Sequence, residues 1–279
     1  MTLPPGARQA RPVGGGDINE AFRVVLAGGE DAFVKTRADA GPGEFAAEAA
    51  GLEWLAEPGA LRVPRVLEVD ERYLALEWVQ PGSLGADGEE ELGRGLAALH
   101  AAGAPRFGSF AAPGDEGGEA SLGSVRLPNA PSEDWPSFYA EHRLRPLARL
   151  ARERDALSAA GELAVGRVCE RIGELAGPPE PPARLHGDLW SGNVLGDERG
   201  NPWLIDPSAY GGHREVDLAM LALFGSASRT IDAYVEVTPL ADGWRDRVGL
   251  YQLLPLLVHA ALFGGSYVQA AERMAGRYA

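Results

Sequence analysis

The sequence predicts an α+β protein in two lobes, a small β-rich one with one main helix and a larger, mostly helical one. Three observations lead there. Through the first eighty positions, short runs rich in Val, Phe and Leu alternate with turn residues. A polar, Gly-rich stretch, QPGSLGADGEEE (80–91), then interrupts that pattern. Beyond it, apolar residues recur at three- and four-residue spacing, the period of a helix. The boundary falls at the interruption, giving lobes of 1–79 and 80–279. With 279 residues, 45% of them apolar and 24% charged, the chain can bury a sizeable core.

The elements follow in order. VGGGDIN (13–19) is a glycine-rich loop, and FRVVL (22–26) and DAFVK (31–35), joined by AGGE, read as a hairpin. EFAAEAAGLEWLAE (44–57) reads as a helix, with Phe45, Ala49, Leu52 and Leu55 on one stripe. Pro64 breaks the chain before two more strands, RVLEVD (65–70) and YLALEWV (73–79). After the polar link, taken as flexible, LGRGLAALHAA (92–102) is helical through Leu92, Leu96 and Leu99. AAPGDEGGEASLGS (111–124) reads as a mobile loop. SEDWPSFYAEHRL (132–144) opens a helix, with Pro136 near its start. Val165, Val168, Cys169, Ile172 and Leu175 form one helical stripe, which makes Cys169 a small core residue rather than a nucleophile. GPPEPPA (177–183) ends that helix. VL and PWLID, either side of GDERGN, form a second hairpin; DLAMLALF (217–224) is a buried helix, and the remainder is helical. This order is the layout of a protein-kinase-like fold.

Bulk properties narrow the partners. A net charge of −14 argues against nucleic acid and anionic membranes. The longest apolar run, LLPLLVHAALF (253–263), holds a Pro and a His and is too short to span a bilayer. The N-terminal segment lacks the apolar run of a signal peptide. A single cysteine permits no internal disulfide and fits a reducing cytoplasm. The expectation is a cytoplasmic protein, monomeric, with a small-molecule or protein-bound substrate. Of 26 basic residues all but Lys35 are arginine. The exception suggests a site that needs a compact ammonium rather than a broad guanidinium fork.

The chemistry concentrates in RLHGDLWSGNVL (184–195). His186, Gly187, Asp188 and Asn193 have the H-x-D-x-x-x-x-N spacing of a phosphoryl-transfer catalytic loop. There the aspartate accepts the proton of an attacking hydroxyl, and the asparagine amide oxygen helps hold a divalent metal. Asp206, thirteen residues on, is the second candidate ligand for Mg²⁺, a hard cation that prefers oxygen. Asp217 is expected to brace the loop by accepting backbone N–H bonds, and His186 to bracket it. In the first lobe Lys35 would hold the phosphates of ATP, paired with Glu48 on the helix or with its rival Glu44. Gly15 and Gly16 would cover the phosphates with backbone N–H groups. Glu77 and Val79, just before the link, would meet adenine through their backbone. Taken singly, most of these have a plainer reading: VGGGDIN as a turn, Lys35 as a solvated strand end, Glu48 as an exposed helix residue, Asp206 as a turn cap. Their common order makes coincidence the weaker account.

At this point the residues resemble a known family. LHGDLWSGNVL with IDPSAYGGHREVDLAM (205–220) is similar to the fructosamine kinase or ketosamine-3-kinase family, relatives of the aminoglycoside phosphotransferases. Trp190 and the run from Tyr210 to Asp217 carry the narrower signature, and VGGGDIN, FVKT, EFAAEAAGLEWL and DWPSFYAEHRL extend the similarity over most of the chain. The resemblance implies ATP- and Mg²⁺-dependent phosphorylation of a sugar hydroxyl in a ketoamine, after which the adduct falls apart and frees the amine. It implies Asp188 as base, Asn193 and Asp206 as metal ligands, Lys35 with Glu48 as phosphate clamp, and Trp190, His213 and Arg214 at the substrate. Trp190 could pack on sugar C–H groups and attract a cationic amine, or anchor the loop from beneath; both readings stay open. Many members of that family carry Cys in the glycine loop where this chain has Asp17. An aminoglycoside-type or other small-molecule kinase is the alternative on the same fold, and a catalytically inactive nucleotide-binding regulator is the alternative of another class.

Overall fold

A computed structural model describes residues 2–14, 19–110, 118–225 and 227–279. Gly15, Gly16 and Asp17 of the glycine-rich loop, and 111–117 of the expected mobile loop, lie outside the described residues. The first lobe is an antiparallel sheet of five strands in the order β1-β2-β3-β5-β4, with one helix against it. The strands are β1 (Arg8–Pro12), β2 (Glu20–Val25), β3 (Asp31–Thr36), β4 (Val66–Asp70) and β5 (Tyr73–Glu77), and the helix α1 (Glu44–Ala56) lies between β3 and β4 in the chain. The sequence reading missed β1, because RQARP is exposed throughout and offers no apolar alternation.

Strand alternation aims the one lysine. On β3, Ala32 and Val34 enter an outer apolar cluster with Val24, Tyr73 and Ala75. Successive side chains of a strand point to opposite faces. Phe33 and Lys35 therefore face the other way, toward α1 and the second lobe. On α1 the stripe Phe45, Ala49, Leu52 and Leu55 is buried against that face, and it brings Glu48 with it.

The link between the lobes differs from expectation. Gly82 N–H donates to the Gly196 carbonyl at 2.8 Å, and Pro81 bridges Asp197, so the segment is tied to the second lobe. The helix α2 (Ala86–Ala101) begins six residues before Leu92. Its first turn carries Asp87 and Glu89, which suit the positive end of a helix but hide the start from an apolar-periodicity reading.

The segment 118–124, expected in a mobile loop, belongs instead to a hairpin, β6 (Glu119–Leu122) and β7 (Val125–Pro128), with Leu122, Val125 and Leu127 buried. Acidic and Gly-rich composition masked that short alternation. A helical run follows: α3 (Trp135–Tyr139), a wide π turn (Ala140–Leu144) and α4 (Arg145–Glu153). Asp134 caps it by accepting from Ser137 N–H at 2.9 Å. Helix α5 (Ala159–Leu175), capped by Ser158, buries Cys169, whose thiol burial pushes up to about 11. The pairs β8 (Ala183–Leu185) with β11 (Tyr210–Gly212), and β9 (Val194–Gly196) with β10 (Pro202–Leu204), frame the central loop. Helices α6 (Glu215–Leu221), α7 (Ser228–Val237), α8 (Trp244–Phe263) and α9 (Ser266–Tyr278) complete the chain.

Two larger apolar clusters organise the rest of the molecule. One lies wholly in the second lobe, among α3–α5, α8 and α9. The other runs across the lobes: Phe45, Leu52 and Leu74 of the first share it with Leu96, Leu189, Leu204 and Tyr234 of the second. The loop residue Leu189 is fully buried in that shared core, so the central loop is fixed to both halves. Among the described residues no helix is long and apolar enough to cross a membrane.

Candidate active site

The loop 186–193 leaves β8 and returns through a short 3-10 turn (Ser191–Asn193) into β9. Its tight start depends on Gly187, at φ +82°, where a Cβ would sit 1.9 Å from the Ser208 carbonyl oxygen. The buried Asp217 accepts the His186 N–H at 2.8 Å and the Gly187 N–H at 2.9 Å, one on each oxygen. Burial pushes the Asp217 carboxyl up, but the hydrogen bond and charge of His100, with His186 and the Gly187 N–H, outweigh it and hold the group below its usual range. His100, which sequence reasoning did not single out, joins Asp217 at 3.2 Å through Nε2 and the Tyr234 hydroxyl at 2.9 Å through Nδ1. Only its place on the buried stripe of α2 could have marked it. His186 is buried and spans Ile205 O at 2.9 Å and Asp188 N at 3.3 Å. It brackets the loop and does not face the cleft.

Asp188 is thereby presented at the loop's turn. Burial pushes its carboxyl up to about 7; the Asn193 hydrogen bond opposes this and the nearby Asp206 and Asp217 add to it. Asn193 donates from Nδ2 to the Asp188 carbonyl at 2.8 Å and to Asp188 Oδ2 at 3.2 Å. An amide fixed in that sense leaves Oδ1 as the outward group. Asp206 follows β10 with φ +52°, an uncommon left-handed conformation for a residue other than Gly. Its Oδ1 accepts from Lys35 Nζ at 2.8 Å. The amide oxygen of Asn193 and the carboxylate of Asp206 are hard oxygen donors on adjacent walls, a set that fits Mg²⁺ completed by phosphate oxygens and water.

Lys35 is buried and ion-paired with both Asp206 and Glu48. Burial works against its charge, but the two carboxylates outweigh it and hold the ammonium above its ordinary pKa. Burial, with Asp206 near, pushes Glu48 upward against the pull of Lys35. Glu44 takes a different partner, Arg37, so it does not compete for the lysine.

These groups line one cleft of about 690 Å³ between the lobes. Lys35, Glu48, Asp188, Asn193 and Asp206 all line it. Trp190, 40% exposed, stands in its wall rather than beneath the loop, edge-on to Phe224 at 6.2 Å. Gly192 lies under the indole, with no room for a Cβ. The aromatic surface continues through Phe224, His259, Phe263 and Tyr267 of the second lobe.

Two expected substrate residues are elsewhere. His213 is 2% exposed and stacks on Tyr251 at 5.3 Å, and Arg214 is held by Glu180 through two bonds of 2.7 Å. With Glu215 and Arg247, paired at 2.6 and 2.9 Å, they form a charge network behind α6, away from the cleft. No residue of the motif GGHREVD lines the cleft; Asp217 braces the central loop and the others stand behind it. Glu77 and Val79 stand at the end of β5 and the start of the link. The Glu77 amide donates to Arg65 O at 2.9 Å, and neither residue is among those that line the cleft.

Comparison with known proteins places this geometry. A family model described as fructosamine kinase matches residues 4–278. A protein of Enterococcus faecium named as a probable ketoamine kinase is 35% identical over 94% of this chain and 92% of its own length. The chloroplastic protein-ribulosamine 3-kinase of Arabidopsis thaliana is 35% identical over 95% of this chain and 81% of its own. The crystal structure of a candidate fructosamine-3-kinase from Thermobifida fusca superposes with a TM-score of 0.88 at 44% identity, covering 98% of this chain and 93% of that one.

Proposed function

The chain belongs to the fructosamine kinase family, and on that premise we propose that it transfers the γ-phosphoryl group of ATP to a sugar hydroxyl of a fructosamine or ribulosamine adduct. The observation that carries the reading is the convergence of Lys35, Asp188, Asn193 and Asp206, tied together by hydrogen bonds, in a single cleft with an aromatic wall.

Asp188 holds the substrate hydroxyl and takes its proton as the oxygen bonds to the γ-phosphorus and the bond to the β–γ bridging oxygen breaks. A carboxylate with its pKa near neutrality suits a general base at physiological pH. Lys35 sets a fixed positive charge beside the phosphates, and Glu48 holds that ammonium in place. Asn193 Oδ1 and Asp206 would hold magnesium, which when bound neutralises charge on the phosphates. Trp190 offers an indole face to the sugar C–H groups, and the ring's negative face favours a cationic amine next to them. Catalysis of this kind is mainly positioning and fixed electrostatics. The phosphorylated adduct then decomposes and releases the amine, so the biological outcome is deglycation. We place the enzyme in the cytoplasm as a monomer, which its acidic charge and single buried cysteine support.

The test is turnover of fructose- and ribulose-lysine adducts with MgATP, followed by ³¹P detection of the phosphorylated position. Phosphate on a sugar hydroxyl, lost in Asp188→Asn, is the expected result. ATP binding without phosphorylation of any ketoamine overturns the reading and favours an inactive regulator. Phosphorylation of aminoglycosides alone overturns it in favour of the other acceptor class.

A further inference from the structure

Beside the cleft lies a buried cation with no acidic partner among the described residues. Arg143, in the π turn, is 2% exposed. Among the described residues it forms no ion pair. Its Nη1 donates to Pro128 O at 2.7 Å and His142 O at 3.0 Å, and its Nη2 to Asn129 Oδ1 at 2.9 Å. The guanidinium stacks over Phe138 at 4.5 Å and Tyr210 at 4.3 Å, which compensates part of its lost hydration. A π turn inserts one residue into a helix and redirects the side chains around it, and such turns are frequent at functional sites. Here the redirected side chain meets the end of β7, where Asn129 begins.

Asn129 is 7% exposed and lines the cleft. Its backbone is fixed at both ends: the N–H donates to Gly118 O at 3.1 Å, and the carbonyl accepts from Ser109 N–H at 3.0 Å. Arginine has five N–H donors and no acceptor. The bond from Arg143 therefore fixes the flip of the Asn129 amide: Oδ1 faces the guanidinium and Nδ2 faces the other way. Among the described residues nothing accepts from that Nδ2. An uncompensated charge on the oxygen side also polarises the amide and strengthens its N–H groups as donors in a low-dielectric setting.

We propose that Asn129 is a specificity-determining residue that donates from Nδ2 to an oxygen of the acceptor sugar, and that Arg143 is the residue that positions it. The inference rests on the phosphoryl-transfer reading above. A fixed pure donor at this place selects an oxygen-bearing part of the substrate and rejects its cationic amine. The amine end is thereby directed along the aromatic wall of Trp190 and Phe224. Asn129 belongs to the acceptor side: its hairpin docks on Ser208, two residues past Asp206, through the Ser208 hydroxyl donating to Ser121 O at 2.6 Å.

The deciding variant is Asn129→Asp, which keeps the shape, removes the donor and gives Arg143 a carboxylate. Thermal stability should hold or rise, so loss of folding does not confuse the result. The KM for a ketoamine that the parent phosphorylates should rise about ten-fold, the scale of one lost hydrogen bond, with the KM for ATP within two-fold. Arg143→Lys, assayed well below its melting temperature, should raise the ketoamine KM several-fold because a single rotating ammonium nitrogen does not reproduce the two fixed nitrogens that serve Pro128 and Asn129. An unchanged ketoamine KM in Asn129→Asp, or a rise confined to ATP, overturns the assignment while leaving the reaction standing. A raised ketoamine KM in Asn129→Asp but not in Arg143→Lys removes Arg143 from it. A parent that phosphorylates no ketoamine overturns the reaction and this inference with it.

Discussion

Lys35 on β3 and Asp206 beyond β10 are 171 residues apart in the chain and share a hydrogen bond of 2.8 Å. Each lobe thus contributes one charge to a bond that crosses the cleft, and the shared apolar cluster below holds the two ends in register. Because Asp206 is also the metal ligand proposed here, nucleotide and lysine draw on the same carboxylate.

That relationship fixes the reactivity of the lysine. Two carboxylates keep the Lys35 ammonium protonated and burial hides it, so simple amine-acylating reagents should leave it unmodified near pH 8. An acyl-phosphate analogue of ATP, delivered by the phosphate site, should label it. As the chain has no other lysine, peptide mass spectrometry separates an adduct on residue 35 from one on a terminal amine. Excess ATP should abolish the adduct on Lys35, and labelling there that persists with ATP present would move the nucleotide elsewhere.

Asp188 must be ionised to accept a proton, and its pKa is raised to about 7. The kcat/KM of the free enzyme should therefore fall about ten-fold per unit as pH drops below 7, and level off above it. Asp188→Asn should lower turnover by roughly 10²- to 10⁴-fold and leave the ATP affinity within a few-fold. A flat profile from pH 5 to 8 would count against Asp188 as the base.

His213 titrates in the opposite setting. Burial, against the pull of Glu180, lowers its pKa from 6.5 to about 4. Nδ1 accepts the Glu215 N–H at 3.3 Å, which suits a neutral ring. Above pH 6.5 neither folded nor unfolded chain is protonated there, and this imidazole costs no stability. Between 6.5 and about 4 the unfolded chain takes the proton first, and stability falls by about 3 kcal/mol in total. Asp188 and Glu48, with pKa values raised, titrate over the same window with the opposite sign, so the His213 contribution is read as the difference in urea stability between the parent and His213→Asn. That variant can still accept from Glu215; the difference should shrink as pH falls from 6.5 to about 4, on top of a constant cost from the lost stacking on Tyr251.

Gly187→Ala should disable the loop. The left-handed backbone and the Ser208 carbonyl both oppose a Cβ, at a cost of about 2 kcal/mol or more. Activity should fall together with the melting temperature. Gly28→Ala, where a Cβ meets nothing within 4 Å, is the matched control and should leave both unchanged.

What could be read from the sequence follows the range of the forces involved. The hairpin of β2 and β3, α1 and the loop 186–193 depend on near neighbours, so alternation, periodicity and motif spacing exposed them. Lys35 stood out because arginine fills every other basic position. The choice of Glu48 over Glu44 needed Arg37 in space, which no local pattern contains. His213 and Arg214 sat inside a recognisable motif, yet their shared partner Glu180 lies 33 and 34 residues away in the chain and draws them from the cleft. Asn129 was invisible for the same reason: its meaning comes from the arginine fourteen positions later, through one bond.

The burial of Lys35 has a further consequence for a protein that meets reactive sugars. Aldoses and ketoses condense with uncharged, accessible amines. This chain's solitary side-chain amine is enclosed and kept cationic, and all its other basic side chains except histidine are guanidinium groups. The enzyme thus offers no lysine to the damage it is proposed to reverse, and prolonged incubation with ribose should leave residue 35 unmodified.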